Sequence, residues 1–106
     1  MANIIVSGAG SSEVNGTYVE SGTTNYKPFY VYGDYVIMWN GLEIAWVILH
    51  SDGYPTYYYS SDDVATPDLC TTWVVNKGEP PVPTVTKGVT GIPKHFLYYA
   101  RMRGNQ

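Results

Sequence analysis

Short runs rich in Val, Ile, Thr, Tyr and Trp recur along this chain at intervals of about 8 to 12 residues, with Gly, Pro, Asn or Asp between them. No segment carries a period-3.6 apolar pattern of helical length, so the hydrophobic spacing itself excludes a helical core. A chain patterned this way folds as a meander, sandwich or small barrel. At 106 residues it is expected to be one antiparallel all-β domain, with 44% apolar and 14% charged residues giving it enough material for a core.

Read in order, the strands are expected near Asn3 to Val6, Gly16 to Glu20, Pro28 to Tyr32, Tyr35 to Trp39, Ile44 to Leu49, Thr56 to Ser60, Thr72 to Val75, Val82 to Thr86 and His95 to Met102. Asn40-Gly41 lies between two of these runs and readily supplies the paired positive φ values of a type I′ hairpin turn. Asp52-Gly53 repeats the device, making Tyr35 to Ser60 a three-stranded meander. Period-2 reading places Tyr35, Ile37 and Trp39 against Val36 and Met38, and Ile44, Trp46 and Ile48 against Ala45, Val47 and Leu49. Both faces are apolar, which predicts two packed layers or a closed barrel rather than a flat sheet with one wet face.

Between Ser61 and Cys70 there is room for one helical turn, with Asp62 or Asp63 as N-cap and Pro67 limiting its length. Lys77 to Pro83 lacks donors at Pro80, Pro81 and Pro83 and is expected to run as an extended edge or crossing segment. Lys87 to Pro93 reads as a linker. Phe96 to Met102 then forms a last strand or short helix, its alternation of Phe96, Tyr98 and Ala100 against Leu97, Tyr99 and Arg101 favouring a strand.

Charge and processing signals narrow the partners. The net charge is −3 and the basic residues are scattered apart from Arg101 and Arg103, so there is no footprint for a phosphate backbone or an anionic membrane surface. The N-terminal run Met1 to Gly8 lacks the charged n-region and apolar length of a signal peptide, and no stretch approaches a transmembrane helix. The expected location is cytoplasmic, or within a virion assembled there. Cys70 stands alone, so no intrachain disulfide is available.

The order Val14-Asn15-Gly16-Thr17-Tyr18, Asn25-Tyr26-Lys27-Pro28-Phe29-Tyr30, Trp39 to Trp46-Val47-Ile48, Tyr57-Tyr58-Tyr59-Ser60, Thr72-Trp73 and Pro81-Val82-Pro83-Thr84-Val85 resembles a small aromatic-rich β-module of bacterial extracellular and phage particle proteins. The resemblance covers about Val6 to Thr86 and implies an architecture and a setting, with no established activity. Lys87 to Gln106 stands outside it as a C-terminal extension of the same single domain, residues 1–106.

Enzyme signatures are missing: there is no nucleophile elbow, no phosphate loop and no His-Glu-x-x-His. Gly8-Ala9-Gly10-Ser11-Ser12 lacks the Lys and helix of a phosphate loop. Asp62, Asp63, Asp68 and Glu43 offer carboxylates for acid and base work, but adjacent aspartates in a Ser-rich loop are ordinarily turn and capping residues. Asp62, Asp63 and Asp68 could also be weighed as a calcium site, but their spacing matches no EF-hand loop and no metal is expected. Cys70 with His50 or His95 would make a nucleophile and base pair, against the plainer role of a small buried hydrophobe. No cofactor is implied.

Aromatic side chains make up 15% of the chain, including 11 Tyr and 3 Trp. Sugar rings present C–H faces that stack on such rings while their hydroxyls meet polar groups, and rigid, amphipathic Tyr supplies that surface well. The candidate ligand-binding set is Tyr54, Tyr57, Tyr58, Tyr59 and Trp73; Trp39, Trp46 and Trp73 could equally form the core of a small barrel, the reading favoured for Trp46 with Ile44 and Ile48 alongside. Consecutive tyrosines in a strand point to both faces, so either Tyr58 or the Tyr57 and Tyr59 pair is exposed. The expected function is a non-catalytic binding module for a carbohydrate or receptor in a phage or bacterial surface assembly. The alternative is a structural or oligomerisation protein of a virion or tail with no small-molecule ligand, its copies pairing through Phe96, Leu97, Tyr98 and Tyr99.

Overall fold

A computed structural model describes residues 2–88. The strands are β1 (Asn3–Ser7), β2 (Gly16–Thr24), β3 (Lys27–Tyr32), β4 (Tyr35–Asn40), β5 (Ala45–His50), β6 (Thr56–Ser60), β7 (Val74–Val75) and β8 (Thr84–Lys87). They form one eight-stranded sheet in the order β7-β6-β5-β4-β3-β2-β1-β8, every pairing antiparallel. The all-β reading holds. Of the alternatives it left open, the sheet is a curled half-barrel rather than a two-sheet sandwich.

The concave face carries the core. Ile4 and Val6 of β1, Tyr18, Tyr30, Ile37, Trp39, Trp46, Ile48, Tyr58 and Val85 share it, with Ala9 and Val14 packed in from the β1–β2 connection. Register explains the assembly: Tyr30 opposes Ile37, Ile37 opposes Ile48, and Trp39 opposes Trp46, so inward residues of successive strands stack side by side. Trp39 and Trp46 meet edge to face at 6.0 Å between centroids. The convex face of β5 is apolar as well, as its sequence requires. Among the described residues no second layer covers it; Val47 is buried there between its ladder partners Met38 and Tyr59.

Two straps draw the edges of the half-barrel together. At one end the Tyr58 hydroxyl accepts from Ser11 N (3.0 Å) and donates to Glu79 O (2.6 Å), Glu79 N donates to Ser11 Oγ (2.8 Å), and Gly10 N donates to Pro81 O (3.0 Å). The β7–β8 crossing segment is thereby tied to the β1–β2 connection. At the other end the β6–β7 loop folds over the trough: Trp46 Nε1 donates to Val64 O (3.0 Å), and Lys27 Nζ reaches Val64 O (2.8 Å) and Asp63 Oδ1 (2.9 Å) while standing 4.5 Å above the Trp39 ring.

Several local expectations are corrected. Asn40-Gly41 does not form a two-residue type I′ turn. The connection is Gly41–Ile44, because the Asn40 side chain accepts from Leu42 N (3.0 Å) and Glu43 N (3.2 Å) and so winds the chain further before it returns. Ile44 takes the positive φ, +55°, and is exposed rather than part of β5 or the core. The longer loop shifts the register by an even step, so Trp39 and Trp46 still share a face. The hairpin turn with paired positive φ is instead Asn25 (+54°) and Tyr26 (+71°), and β2 extends to Thr24 to reach it.

Asp52-Gly53 does turn the chain, within a longer connection in which Gly53 has φ +95° and donates from N to His50 O (2.9 Å). The helical turn of the β6–β7 loop is a single 3₁₀ turn at Pro67–Leu69 with Thr66, not Asp62 or Asp63, at its N-cap. A second such turn, Ser12–Val14, was not foreseen. Strand β7 is shorter than Thr72 to Val75, and β8 runs Thr84–Lys87 rather than Val82 to Thr86. The strand expected over His95 to Met102, and with it the pairing surface of Phe96, Leu97, Tyr98 and Tyr99, lies outside the described residues.

Candidate functional site

The β3–β4 and β5–β6 turns meet at the end of the half-barrel opposite the β4–β5 loop, with Ser51 N donating to Asp34 O (2.8 Å). The inward-facing residues just before and after these turns are aromatic. Tyr32 closes β3, Tyr35 opens β4 opposite His50 at the end of β5, and Tyr57 lies near the start of β6. Rings pack against one another in a chain: Tyr18 to Tyr32 at 5.3 Å, Tyr35 to His50 at 5.8 Å and Tyr35 to Tyr57 at 5.9 Å. The last two are edge-to-face contacts, the arrangement that ring quadrupoles favour.

A bulge makes this mouth possible. Leu49 opposes Thr56 whereas Ile48 opposes Tyr58, which leaves Tyr57 as the extra residue on β6. Tyr57 therefore leaves strict alternation and packs on the core beside Tyr35. Gly16 makes room for the other side of the mouth, since a Cβ there would lie 2.5 Å from Tyr32 Cζ. The floor is Tyr18, fully buried, whose hydroxyl donates to Val14 O (2.6 Å).

The phenols sense one another. Burial, then the neighbouring Tyr32, Tyr35 and Tyr57 hydroxyls, drive the Tyr18 phenol well above its ordinary value. Burial and Tyr35 also raise Tyr57. Tyr18 and Tyr57 thus stay neutral hydrogen-bonding hydroxyls at physiological pH. At the rim stand Tyr54, 70% exposed, and Asp52, whose carboxylate is 3.5 Å from His50 Nδ1. The mouth thus offers half-exposed ring faces and edges held by packing, phenolic hydroxyls, and a carboxylate with an imidazole at one side.

The expected binding residues separate. Tyr54 and Tyr57 belong to the mouth. Tyr58 does not: it is fully buried, with both hydroxyl contacts spent on the strap, so no ligand reaches its ring. Tyr59 is half-buried on the convex face between Val47 and Val74. Trp73 packs against the core toward the opposite end, and its Nε1 is buried without a hydrogen-bond partner. Tyr32, Tyr35 and His50 were missed. The signal for Tyr35 was its shared parity with Ile37 and Trp39; for His50 no local signal existed, because its place depends on register.

The acidic candidates do not converge. Asp62 accepts from Thr71 N (2.7 Å), Thr71 Oγ1 (3.0 Å) and Thr72 N (3.2 Å), contacts that hold its carboxyl below the usual range, and Asp63 is paired with Lys27. Among the described residues no group of three or more His, Cys, Asp or Glu side chains is placed to hold a metal ion. Cys70 is half-buried in the β6–β7 loop, its thiol raised chiefly by burial, while His50 lies at the far end of the adjoining strands. His95 lies outside the described residues. Neither a pocket nor a helix able to cross a membrane occurs among the described residues.

No protein-family model matches this chain, and neither does any curated protein or solved structure.

Proposed function

We propose that this chain is a non-catalytic binding domain that takes a carbohydrate at the tyrosine-lined mouth of its half-barrel. One observation carries the reading: Tyr32, Tyr35, Tyr54 and Tyr57 gather at one open end of the sheet, where they expose rings and hydroxyls together. A pyranose presents apolar C–H faces and peripheral hydroxyls, and rigid phenols answer both at low cost in side-chain entropy. Barrel mouths are favoured places for such ligands. The resemblance to phage particle and bacterial extracellular modules supports a setting in a surface assembly that meets cell-surface glycan.

Glycan-array binding by the full chain tests the proposal, followed by calorimetry with Tyr54→Ala and Tyr57→Phe. Loss of the Tyr54 ring contact, about 1 to 1.5 kcal/mol, weakens binding ~5- to 10-fold. A folded chain that retains no glycan, or binding that both substitutions leave unchanged, refutes it.

A structural role in a virion or tail is supported by a different observation, the convex-face row Val19, Val31, Val36 and Leu49, in which Val19 is 42% exposed. Light scattering tests that reading, and a monomer at high concentration removes its support.

A further inference from the structure

Carboxylates surround the tyrosine mouth. Asp52 stands at its rim, 86% exposed, 3.5 Å from His50 Nδ1, and His50 packs edge to face on Tyr35. The imidazole brings no cation to this pair as arranged here, because His50 Nδ1 accepts from Asp52 N (3.1 Å), as only an unprotonated ring nitrogen can. On another side Glu13 lies in the 3₁₀ turn Ser12–Val14, next to Val14, whose O accepts the Tyr18 hydroxyl of the floor (2.6 Å). Burial, then Tyr35 and Glu13, raise the Tyr57 phenol, so this carboxylate acts on the mouth as well. Asp34 adds a third from the β3–β4 turn, its O accepting from Ser51 N (2.8 Å). Neither Glu13 nor Asp34 has an ion-pair partner among the described residues.

The described cations are placed elsewhere. Lys27 is engaged at the opposite end with Asp63 and Val64 O. Lys87 is level with Ile4, up the strand from the Val6–Gly16 pair that adjoins Tyr32. Lys77 lies beyond the outer edge of β6, its N donating to Thr56 O (3.0 Å). Arginine is absent among the described residues. The mouth therefore combines phenol rings, whose faces are negative, with carboxylates that lack a fixed cation, and both attract positive charge. Tyr54, the most exposed of these rings, leaves most of its surface open to such a contact. A neutral sugar uses the rings and hydroxyls alone, and an acidic one is repelled. A sugar with a free amine uses every part of this surface: its C–H face stacks while its ammonium meets ring faces and carboxylates.

We infer that the mouth selects an amino sugar bearing a free ammonium group, seated at the Tyr35, Tyr54 and Tyr57 rings between the Glu13 and Asp52 carboxylates. The inference rests on the carbohydrate reading and adds the class of sugar to it.

The test is calorimetry on the full chain with the β-1,4 tetramer of glucosamine, in mildly acidic buffer where its amines are ammonium ions. Its N-acetylated form, the glucose tetramer of the same linkage and a galacturonate tetramer are the comparisons. The ammonium tetramer is expected to bind ~5- to 10-fold more tightly than the two neutral ones, with the acidic tetramer weakest. Asp52→Asn and Glu13→Gln, both at exposed positions, should each narrow that preference ~2- to 3-fold. Glu43→Gln removes the same charge from the β4–β5 loop at the opposite end and should leave the preference as it is. Neutral or acidic tetramers that bind as tightly as the ammonium form overturn the inference and leave the carbohydrate reading standing. A preference that survives the Glu13→Gln, Asp52→Asn double variant, or that Glu43→Gln narrows equally, also overturns it, since the attraction then belongs to net charge rather than to the mouth. Absence of binding by all four tetramers removes the carbohydrate reading and this inference together.

Discussion

Tyr58→Phe removes one oxygen atom from the interior and leaves the ring in place. That oxygen joins three separate parts of the chain, accepting from Ser11 N at 3.0 Å and donating to Glu79 O at 2.6 Å from its place on β6. Each bond contributes about 1 kcal/mol net. The Ser11 N–H is enclosed, Ser11 being 7% exposed, and without its acceptor it adds the desolvation penalty of an unpaired donor, ~1 to 3 kcal/mol. The expected loss is about 2 to 4 kcal/mol, or roughly 10 to 20 °C in Tm for a domain of this size. Thermal and urea unfolding followed by circular dichroism measure it, with Tyr54→Phe as the reference because that ring is at the surface. The urea m-value should stay constant, since the same surface is buried. A Tm for Tyr58→Phe within ~2 °C of the reference refutes the claim that the hydroxyl strap holds the half-barrel closed.

Gly10→Ala should destabilise by more than about 2 kcal/mol, because the new Cβ would run into Pro80 O and Glu79 O, main-chain atoms that cannot swing aside; urea denaturation reads this, and a neutral result would show that the crossing segment is not anchored there. Ile44→Gly should instead stabilise by roughly 1 kcal/mol by relieving left-handed strain at an exposed position, visible as a raised urea midpoint; a loss of stability contradicts the assigned turn. Alkaline titration should reveal the buried phenols. Burial, with Glu20 and Asp68 next, pushes Tyr30 up to about 12, and Tyr18 is raised further. The unfolded chain thus releases these protons near pH 10 while the folded chain retains them. Their contribution is complete below ~10 and falls by about 1.4 kcal/mol per group and pH unit above it. Stability that stays flat from pH 10 to about 11.5 would contradict their burial.

Much of the fold was legible without coordinates, for reasons that particular residues make clear. Alternation in Tyr35 to Trp39 and Trp46 to Leu49 is a local property, read from neighbours two apart, and it located the central strands and the buried indole of Trp46. Turns failed where a side chain competed with the backbone. Asn40 looked like half of an Asn-Gly hairpin, yet its carbonyl oxygen captured two amides and lengthened the loop. Tyr26, an unlikely residue for positive φ, gave no warning of the tight turn it occupies.

The candidate site was less legible, because it depends on positions far apart in the chain. Composition identified tyrosine as the residue to watch, and Tyr54 and Tyr57 do stand at the mouth. Which of three consecutive tyrosines would face inward was settled by the bulge opposite Ile48 and Leu49, which puts Tyr57 beside Tyr35 and leaves Tyr58 to close the strap. His50 joins them only because β4 and β5 pair in one register. Sequence by itself determined that strands form and which residues can be buried, since both follow from side-chain period and hydrophobicity. Tertiary structure decided which rings meet at an open end, since register, bulge and curl arise from pairing between strands that no local window contains.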